Sequence, residues 1–471
     1  MTQDMVFEAP SAQDCDGFDT MLSARKDDAM EVEPMTRETS KYLNKSARFI
    51  VEKKSFKEQY AQLYFTRLML TSPRVREAIK EKFPEAKVAK ILDLEDGQEC
   101  VIVGTLYKDM LLKPTILDEY TKERSVEPLV RASKLTSDSD TLVLEDEGAR
   151  VRLSGEALDL AKHVTGIVVA VKGTAERDGN FTVSDVLYAP PGPQAAVPLP
   201  REVGAGTSGR YVALVSGLQL GGGGNPLPAQ LLIDHLCGLL GSSPDQELSA
   251  RVVRVVLAGD SFAPGVNQVA AGKLNKKQQA DMKAPLLELD LGLAQLAAAM
   301  PVDVMPGPAD FTNVSLPQQP MHRVLFPGAA RYSTFQGVTN PYEFDCEDIS
   351  FLGTSGQNVD DLYKYCDVED RLDLLEATWR WQHLAPTAPD TLATYPFSDR
   401  DPFIVEQAPH VYFVGNQPEF ATRVVTGPAG QVTRLLALPR FADSGMAVLV
   451  NLDTLACHPL VFSTEPLQAD E

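Results

Sequence analysis

Two aspartates, Asp260 in LAGDSFA (257–263) and Asp310 in VMPGPAD (304–310), follow directly on short apolar runs. That is where a buried parallel strand hands its chain to a loop. Three more loops share the context: VSGLQLG (215–221), GTSGQN (353–358) and VGNQP (414–418). In an open α/β sheet such loops converge at the carboxyl edge of the strands, where ligands bind. Clustered Asp, Asn and His at that edge would suit a two-metal phosphoesterase, whose cations sit about 3.5–4 Å apart and clamp the attacking and leaving oxygens. The ligand count falls short. Asp260 is the only such residue in the first two loops, Asp310 adds one carboxylate, and Asn358 and Asn416 add amides; none of the six histidines falls in any of the five loops. A hydrolytic metal centre is not expected from that stock, nor is any other cofactor.

Other residues have plain readings. The run Gly221–Gly224 suggests a phosphate cradle, but SGLQLGGGGNP contains neither GxxxxGK[ST] nor GxGxxG. A turn at a sheet edge accounts for it. Ser355 lies in GTSG rather than GxSxG, with no base placed nearby. The cysteines (Cys15, Cys100, Cys237, Cys346, Cys366, Cys457) form no CxxC pair, which argues against a disulfide framework or structural zinc and for a reducing compartment. Trp379 and Trp381 end a long helical pattern and read as packing residues.

The elements that must position these loops alternate. After the strand Val212–Val215 a helix is expected over about Pro228–Leu240, with Leu231, Leu232, Leu236 and Leu239 on one side. The strand RVVRVVLAG, a helical stretch from Leu274 to Met300, and the strand in PVDVMPG follow. DISFLGTSG and HVYFVG are further strands, with one helix between them from Asp360 to about His383, capped by Asn358. This order implies a layered α/β domain with a largely parallel sheet over 210–471. Upstream the period is two. ECVIVGTLYKDML, TLVLEDEGARVRLSGE and GIVVAVKGTAERDGNFTVSDVLY read as short strands, with a hairpin turn at Asp178-Gly179. A small antiparallel barrel, an OB-fold, is expected over 91–189. Its strands offer chiefly Tyr107, Phe181 and Tyr188 for stacking, and its Glu145–Glu147 turn is acidic, so protein docking is favoured over single-strand binding. Residues 190–209 are Pro- and Gly-rich and mark the linker between the two.

Residues 1–40 lack hydrophobic periodicity and read as a disordered acidic tail. In the helical segment 41–90, Phe56, Tyr60, Leu63, Tyr64 and Leu68 recur at helical spacing. Lys41, Lys45, Arg48, Lys53, Lys54 and Lys57 cluster beside them, more simply a solvated face than a docking patch. The net charge is −21, which repels phosphate backbones and disfavours a freestanding DNA binder. No run approaches the ~18 apolar residues of a membrane span, and the acidic amino terminus is not a secretory signal.

Seven segments, in order, carry a specific likeness: SGLQLGGGG, PVDVMPG, LPQQPMH, FLGTSGQNV, APTAPDTLATYPF, DPFI and PHVYFVGNQP. With SFKEQYAQLYFTRL and CVIVGTLYKDMLLKPTIL, the chain from about Ser55 onward resembles the small, B-type subunits of DNA polymerase delta, within the alpha/delta/epsilon B-subunit family. The resemblance implies an OB-fold followed by a calcineurin-like phosphoesterase domain that has lost its catalytic ligands. By that comparison Gly217 and Gln219 stand where active relatives have Asp-x-His. Gly-Asp-x-x-Asp survives only as Gly259-Asp260, with Ala263 in the last place. Gly-Asn-His-Asp has become Gly307-Pro308-Ala309-Asp310, Ser355 replaces a histidine, and Gly-His-x-His has become Gly415-Asn416-Gln417-Pro418.

The expectation is a non-catalytic accessory subunit of a replicative DNA polymerase. The resemblance implies a nuclear location and two partners, the carboxyl-terminal cysteine-rich module of the catalytic subunit and an elongated third subunit. DNA and the sliding clamp would be met only indirectly, and no membrane is involved. The alternatives are a residual phosphodiesterase, on Asp260 and Asp310, and a single-strand binder through the OB-fold.

Overall fold

The computed structural model describes residues 35–52, 55–113, 133–196, 209–267 and 276–464, with no side chains given for 276–281. The acidic tail and Cys15 thus lie almost wholly outside the described residues, as do Lys53, Lys54 and 197–208 of the linker. The chain divides into Met1–Thr36 and Arg37–Glu471, and the fold below is that of the second unit.

The chain enters through strand β1 (Tyr42–Asn44) and helix α1 (Ala61–Lys82). Next come β2 (Val88–Ala89), β3 (Glu99–Asp109), β4 (Thr141–Glu145), β5 (Arg150–Ser154), β6 (Val168–Ala175) and β7 (Asn180–Tyr188). β8 (Tyr211–Val215), α2 (Leu227–Leu236), α3 (Ser243–Ala250), β9 (Val252–Ala258), α4 (Lys276–Ala299), β10 (Val302–Met305) and β11 (Phe335–Gly337) follow. The last part holds β12 (Tyr342–Cys346), β13 (Ile349–Thr354), α5 (Gln357–Tyr365), α6 (Arg371–Trp381), β14 (Val411–Gln417), β15 (Ala421–Thr426), β16 (Val432–Pro439), α7 (Phe441–Ser444), β17 (Met446–Asn451) and β18 (Cys457–Val461).

β3 to β7 close a barrel in the order β3-β4-β5-β7-β6, with β6 pairing back onto β3. All its pairings are antiparallel except β5–β7. This is the small five-stranded OB-type barrel that the period-two segments predict. The turn between β4 and β5 is set by Asp146, whose carboxylate accepts from the N–H groups of Gly148 and Ala149 at 2.8 and 2.9 Å. Phe181 is fully buried in the barrel, Tyr188 meets His163 Nε2 at 2.5 Å, and Tyr107 lines the crevice beneath α1.

The other strands form two six-stranded sheets, β1-β12-β13-β14-β16-β15 and β11-β10-β9-β8-β17-β18. β8, β9, β10 and β11 run parallel, as do β13, β14 and β16. Every residue of β8, β9 and β14 is buried, as strands covered on both faces must be. One face of each sheet packs on the other through Val212, Leu214, Val256, Phe344, Phe351, Phe413 and Leu436. α2 and α4 cover the outer face of the second sheet, and α5 and α6 that of the first.

The amino-terminal segment serves both bodies. β1 pairs antiparallel with β12 in the sandwich, and Tyr42 there lies 3.5 Å beneath the guanidinium of Arg254, which pairs with Asp303 at 2.7 Å. Lys45 and Arg48 pair with Asp345 and Glu343, so these members of the basic cluster hold the segment down. α1 begins at Ala61, later than its periodicity predicts. Ser55 and Phe56 are held on Tyr395 instead, by an N–H···O bond of 2.7 Å and an edge-on ring contact. Leu68, Val75 and Ile79 of α1 then pack on Val101, Val103, Val168 and Ala170 outside the barrel.

Three further expectations change. The helix expected from Asp360 to His383 is two, α5 and α6, broken at Cys366–Asp370, where the chain bonds to the barrel: Asp367 N–H donates to Ala161 O and Cys366 Sγ to Lys162 O, and Lys108 Nζ holds the carbonyl of Tyr365 at the end of α5. Asn358 does not cap α5. It lies inside the helix, donating to Leu384 O and accepting from Thr354 Oγ1, and Asp370 caps α6. α2 ends at Leu236, leaving Leu239 76% exposed. Residues 190–196 of the Pro/Gly-rich stretch lie against the sandwich, where Gln194 Nε2 donates to Val432 O and Gln431 Nε2 to Gly192 O.

Barrel and sandwich share one apolar core, running from Ile102 and Leu144 through Trp379, Trp381 and Leu384 to Tyr412. At their seam Arg67 of α1, 1% exposed, donates to Asp401 Oδ2 at 2.7 Å and to the carbonyls of Gly166, Pro386 and Ala388 at 3.0, 2.8 and 2.6 Å. His383 Nε2 meets the same carboxylate at 2.9 Å while its Nδ1 accepts from Ala385 N–H. Gly166, at φ +94°, must be glycine: a Cβ would lie 1.9 Å from Pro386 O. Removing one partner of a buried ion pair strands the other, so Arg67→Ala is expected to cost about 3–5 kcal/mol in urea unfolding. Burial, followed by the charge of Arg67, pushes His383 down to about 4, against about 6.5 when unfolded. The unfolded state therefore binds the proton first, and stability falls as pH drops from about 6.5 towards about 4. Asp401, held well below the usual carboxylate range by Arg67 and His383 against the cost of burial, gives its stability above about pH 4 and loses it only below. Unfolding free energies across pH 4.5–7 should show the slope, and a His383→Gln variant a shallower one.

Candidate functional site

Each of the five loops leaves a parallel strand at the same edge of the sandwich, as the apolar runs require. Gly217 N–H after β8 bonds to Gly259 O after β9 at 2.9 Å, and Gln219 N–H to Asp260 O at 3.1 Å. Ala309 N–H after β10 donates to Asp260 Oδ1 at 2.9 Å. Asp310 reaches back, its Oδ1 accepting from Phe262 N–H at 3.1 Å and its Oδ2 from Gly307 N–H at 2.7 Å. From the other sheet, Asn416 Nδ2 donates to Ser355 O at 2.8 Å and its N–H to Ser216 Oγ at 3.0 Å. The structure therefore brings together Gly217, Gln219, Asp260, Ala309, Asp310, Ser355 and Asn416. Ala263 is buried under the glycine run, 3.1 Å from where a Cβ on Gly222 would lie, and Pro308 and Pro418 are exposed at the margin.

Little space is left between these loops. A Cβ on Gly217 would sit 2.6 Å from Asn416 Oδ1, one on Gly259 2.4 Å from Ser355 Cβ, and one on Gly307 2.4 Å from Asp260 Oδ1. The backbone is strained to achieve it: Gln219, Asp260 and Asn416 adopt φ of 49°, 51° and 57°, a region costing a non-glycine residue about 1–3 kcal/mol. The first half of the glycine run is packed as well, Gly221 against Pro285 and Val266, while Gly223 and Gly224 face open space.

A network of carboxamides, which no sequence pattern announces, bridges the two sheets here. Asn340 Nδ2 lies within 2.7–3.0 Å of Ser355 Oγ, Gln318 Oε1 and Gln357 Oε1, and its Oδ1 accepts from Ser355 N–H at 3.1 Å. Gln357 Nε2 donates to Gln318 Oε1 at 2.7 Å, and Gln318 Nε2 to Gly307 O at 3.0 Å. Gln318 and Asn340 precede β12 in loops that follow no apolar run, so no strand-end pattern marks them. Ser355 Oγ is engaged with amides and has no histidine beside it. Its surroundings do not activate a nucleophile.

Both carboxylates are buried. Burial raises Asp260 to about 6, with Ala309 N–H and the charge of Arg440 pulling the other way. Burial and then the neighbouring Asp260 raise Asp310 to about 8. Each is held by backbone of the adjoining loop, and among the described residues no three His, Cys, Asp or Glu gather in a group able to hold a metal ion. The donor set does not fit a pair of cations. The six histidines lie elsewhere: His410 with Ser350, His163 with Tyr188, His383 with Asp401, His322 accepting from Val324 N–H, His458 against Tyr211 and His235 against Phe462.

Substituting Gly217, at φ +65°, presses Cβ onto Asn416 Oδ1 and forces a left-handed alanine. Gly217→Ala should therefore lower stability by about 1–3 kcal/mol, read as a lower midpoint in urea unfolding.

Residues 212–422 match the family model for the B subunit of DNA polymerase alpha/epsilon, and residues 59–186 the one for the OB-fold domain of the DNA polymerase delta subunit. Over 431 residues the chain is 48% identical to the DNA polymerase delta small subunit of Arabidopsis thaliana, covering 91% of this chain and 97% of that one. The rice (Oryza sativa subsp. japonica) protein of the same name is 46% identical, over 91% and 99% of the two chains. That of Saccharomyces cerevisiae is 34% identical, over 88% and 91%.

Proposed function

Because the chain belongs to the DNA polymerase delta small-subunit family, we propose that it is the non-catalytic scaffold of that polymerase. In this reading it bridges the carboxyl-terminal cysteine-rich module of the catalytic subunit and the elongated third subunit, in the nucleus. An accessory role in DNA replication, an OB-fold domain and a mixed α/β B-subunit domain come with the family. The bridging, the partners' identities and the loss of catalysis are our inference.

The observation that carries it is the closed edge. The paired sheets flanked by helices support a phosphoesterase-type ancestry for residues 210–471, and the left-handed turns at Gln219, Asp260 and Asn416 are the strain that active sites store. Ser261 Oγ, Asn416 Oδ1 and Gln417 Oε1 are buried there without a partner among the described residues, a further trace of a site that once served polar chemistry. Gly217, Gln219, Ala263, Pro308, Ala309, Ser355, Asn416 and Pro418 then occupy degenerate ligand positions. Asp260 and Asp310, held by backbone N–H groups, serve as struts between loops.

The domain limits we propose are the acidic tail 1–40, the helical segment 41–90, the OB-fold 91–189, the linker 190–209 and the phosphoesterase-like domain 210–471. Co-expression of the full chain with the catalytic subunit's carboxyl-terminal module is expected to yield a complex that survives purification. The purified chain with Mn²⁺ or Mg²⁺ is expected to leave single-stranded DNA intact. Cleavage that Asp260→Asn abolishes would restore the enzyme reading.

A further inference from the structure

The two sheets of the sandwich end in four edges, and three of them are blunted. β1 and β11 are three residues each, too short to template a partner strand. β18 carries a proline: Phe462 N–H bonds to Gly445 O and Asn451 N–H to Ala456 O, so alternation turns Cys457, Pro459 and Val461 outward. The middle residue of that edge has no N–H to offer. β15 differs from all three. It has six residues, ATRVVT, with no proline and no lysine, and β-branched side chains at four positions.

Its pairing with β16 is regular from Ala421↔Ala437 to Thr426↔Val432. Gly427 N–H bonds to Gln431 O across the turn, so the residues bonded towards β16 are 425, 423 and 421. The N–H and C=O groups of Thr422, Val424 and Thr426 therefore point away from the sheet, and no described strand pairs with them. Three donors and three acceptors in one row at strand spacing are matched by one kind of occupant, another strand. Unprotected rows of this kind are what proteins ordinarily cover or break.

The two faces of the strand define that occupant further. On one, Val424 is 46% exposed beside Thr422 and Thr426, which calls for an apolar residue alongside it. On the other, Arg423 is surrounded by Asp370, Asp373 and Glu376 at 3.4, 2.7 and 2.6 Å. Arg380 shares Glu376 at 2.5 Å, so two cations stand against three carboxylates; the net charge of that face stays negative, with Asp370 and Asp373 half exposed, and it complements Lys or Arg on the incoming strand.

We propose that β15 is a docking edge, on which an extended segment of a partner protein in the polymerase complex adds a seventh strand with apolar residues towards Val424 and basic residues towards Asp370 and Asp373. This rests on the reading of the chain as one member of a larger complex, and it assigns that complex one contact surface.

Hydrogen exchange of the full chain, alone and in the complex co-expressed with the other subunits, tests it directly. The amides of Thr422, Val424 and Thr426 should exchange rapidly in the isolated chain and become protected in the complex. Val424→Pro removes an outward donor without breaking a bond to β16, so it should leave the isolated chain's unfolding midpoint unchanged. Retention of one of the other subunits should weaken about tenfold, the scale of one or two backbone hydrogen bonds. Amides that stay unprotected in an assembled complex overturn this proposal alone. Protection already present in the isolated chain overturns it too, because this chain or a second copy then covers the edge. A wild-type chain that assembles with nothing overturns the accessory reading and the docking edge together.

Discussion

A buried guanidinium has five N–H donors fixed in a plane and no water to receive them. Arg67 places four of them only where three parts of the chain meet: its own helix, the barrel loop at Gly166, and the sandwich loops carrying Pro386, Ala388 and Asp401. None of those groups could be moved by a residue without leaving a donor or a charge unpaired in a dry interior, at a cost of kilocalories each. The position of α1 and the close approach of Gly166 to Pro386 both follow from satisfying this one cation, and its charge adds to burial in keeping His383 neutral. It makes α1, barrel and sandwich a single structural unit.

Periodicity carried much of the fold. Strands buried on both faces, such as YVALV and VVRVVLA, and the alternating strands of the barrel had patterns without competitors, and the loops after the parallel strands had to converge. What failed to show in the sequence depends on contacts far along the chain. Nothing in YLN marks it as an edge strand beside residues 342–346. Nothing in the run from Asp360 to His383 shows that the barrel draws the backbone out at Asp367. Phe56 and Tyr60 have helical spacing, yet Tyr395 holds the segment before α1 out of the helix. Local propensity is a weak prior against such tertiary contacts.

The loop edge was half legible in the same sense. The glycines and the two aspartates stand at strand ends, the places where α/β sheets put their sites. Gln357 stands at a strand end, in GTSGQN, but Gln318 and Asn340 come from segments with no strand-end signature, so two of the three amides in the network that fills the edge had no local signal. Its chemistry differs from that of an ion-binding site. Carboxamides donate and accept at once and carry no charge, so they can bridge two sheets in a dry interior without a counter-ion. The loops at this edge are held to one another.

The core shared by barrel and sandwich has a consequence for how the protein is made. The barrel strands leave the ribosome by Tyr188, but Trp379, Trp381, Leu384 and Phe403, which belong to the same apolar cluster, follow roughly 200 residues later, on the order of 10–40 s at ordinary translation rates. Throughout that interval the nascent barrel presents an uncovered apolar wall. Its biogenesis is coupled to completion of the chain, and a ribosome that stalls in the second half releases a fragment that chaperones must hold.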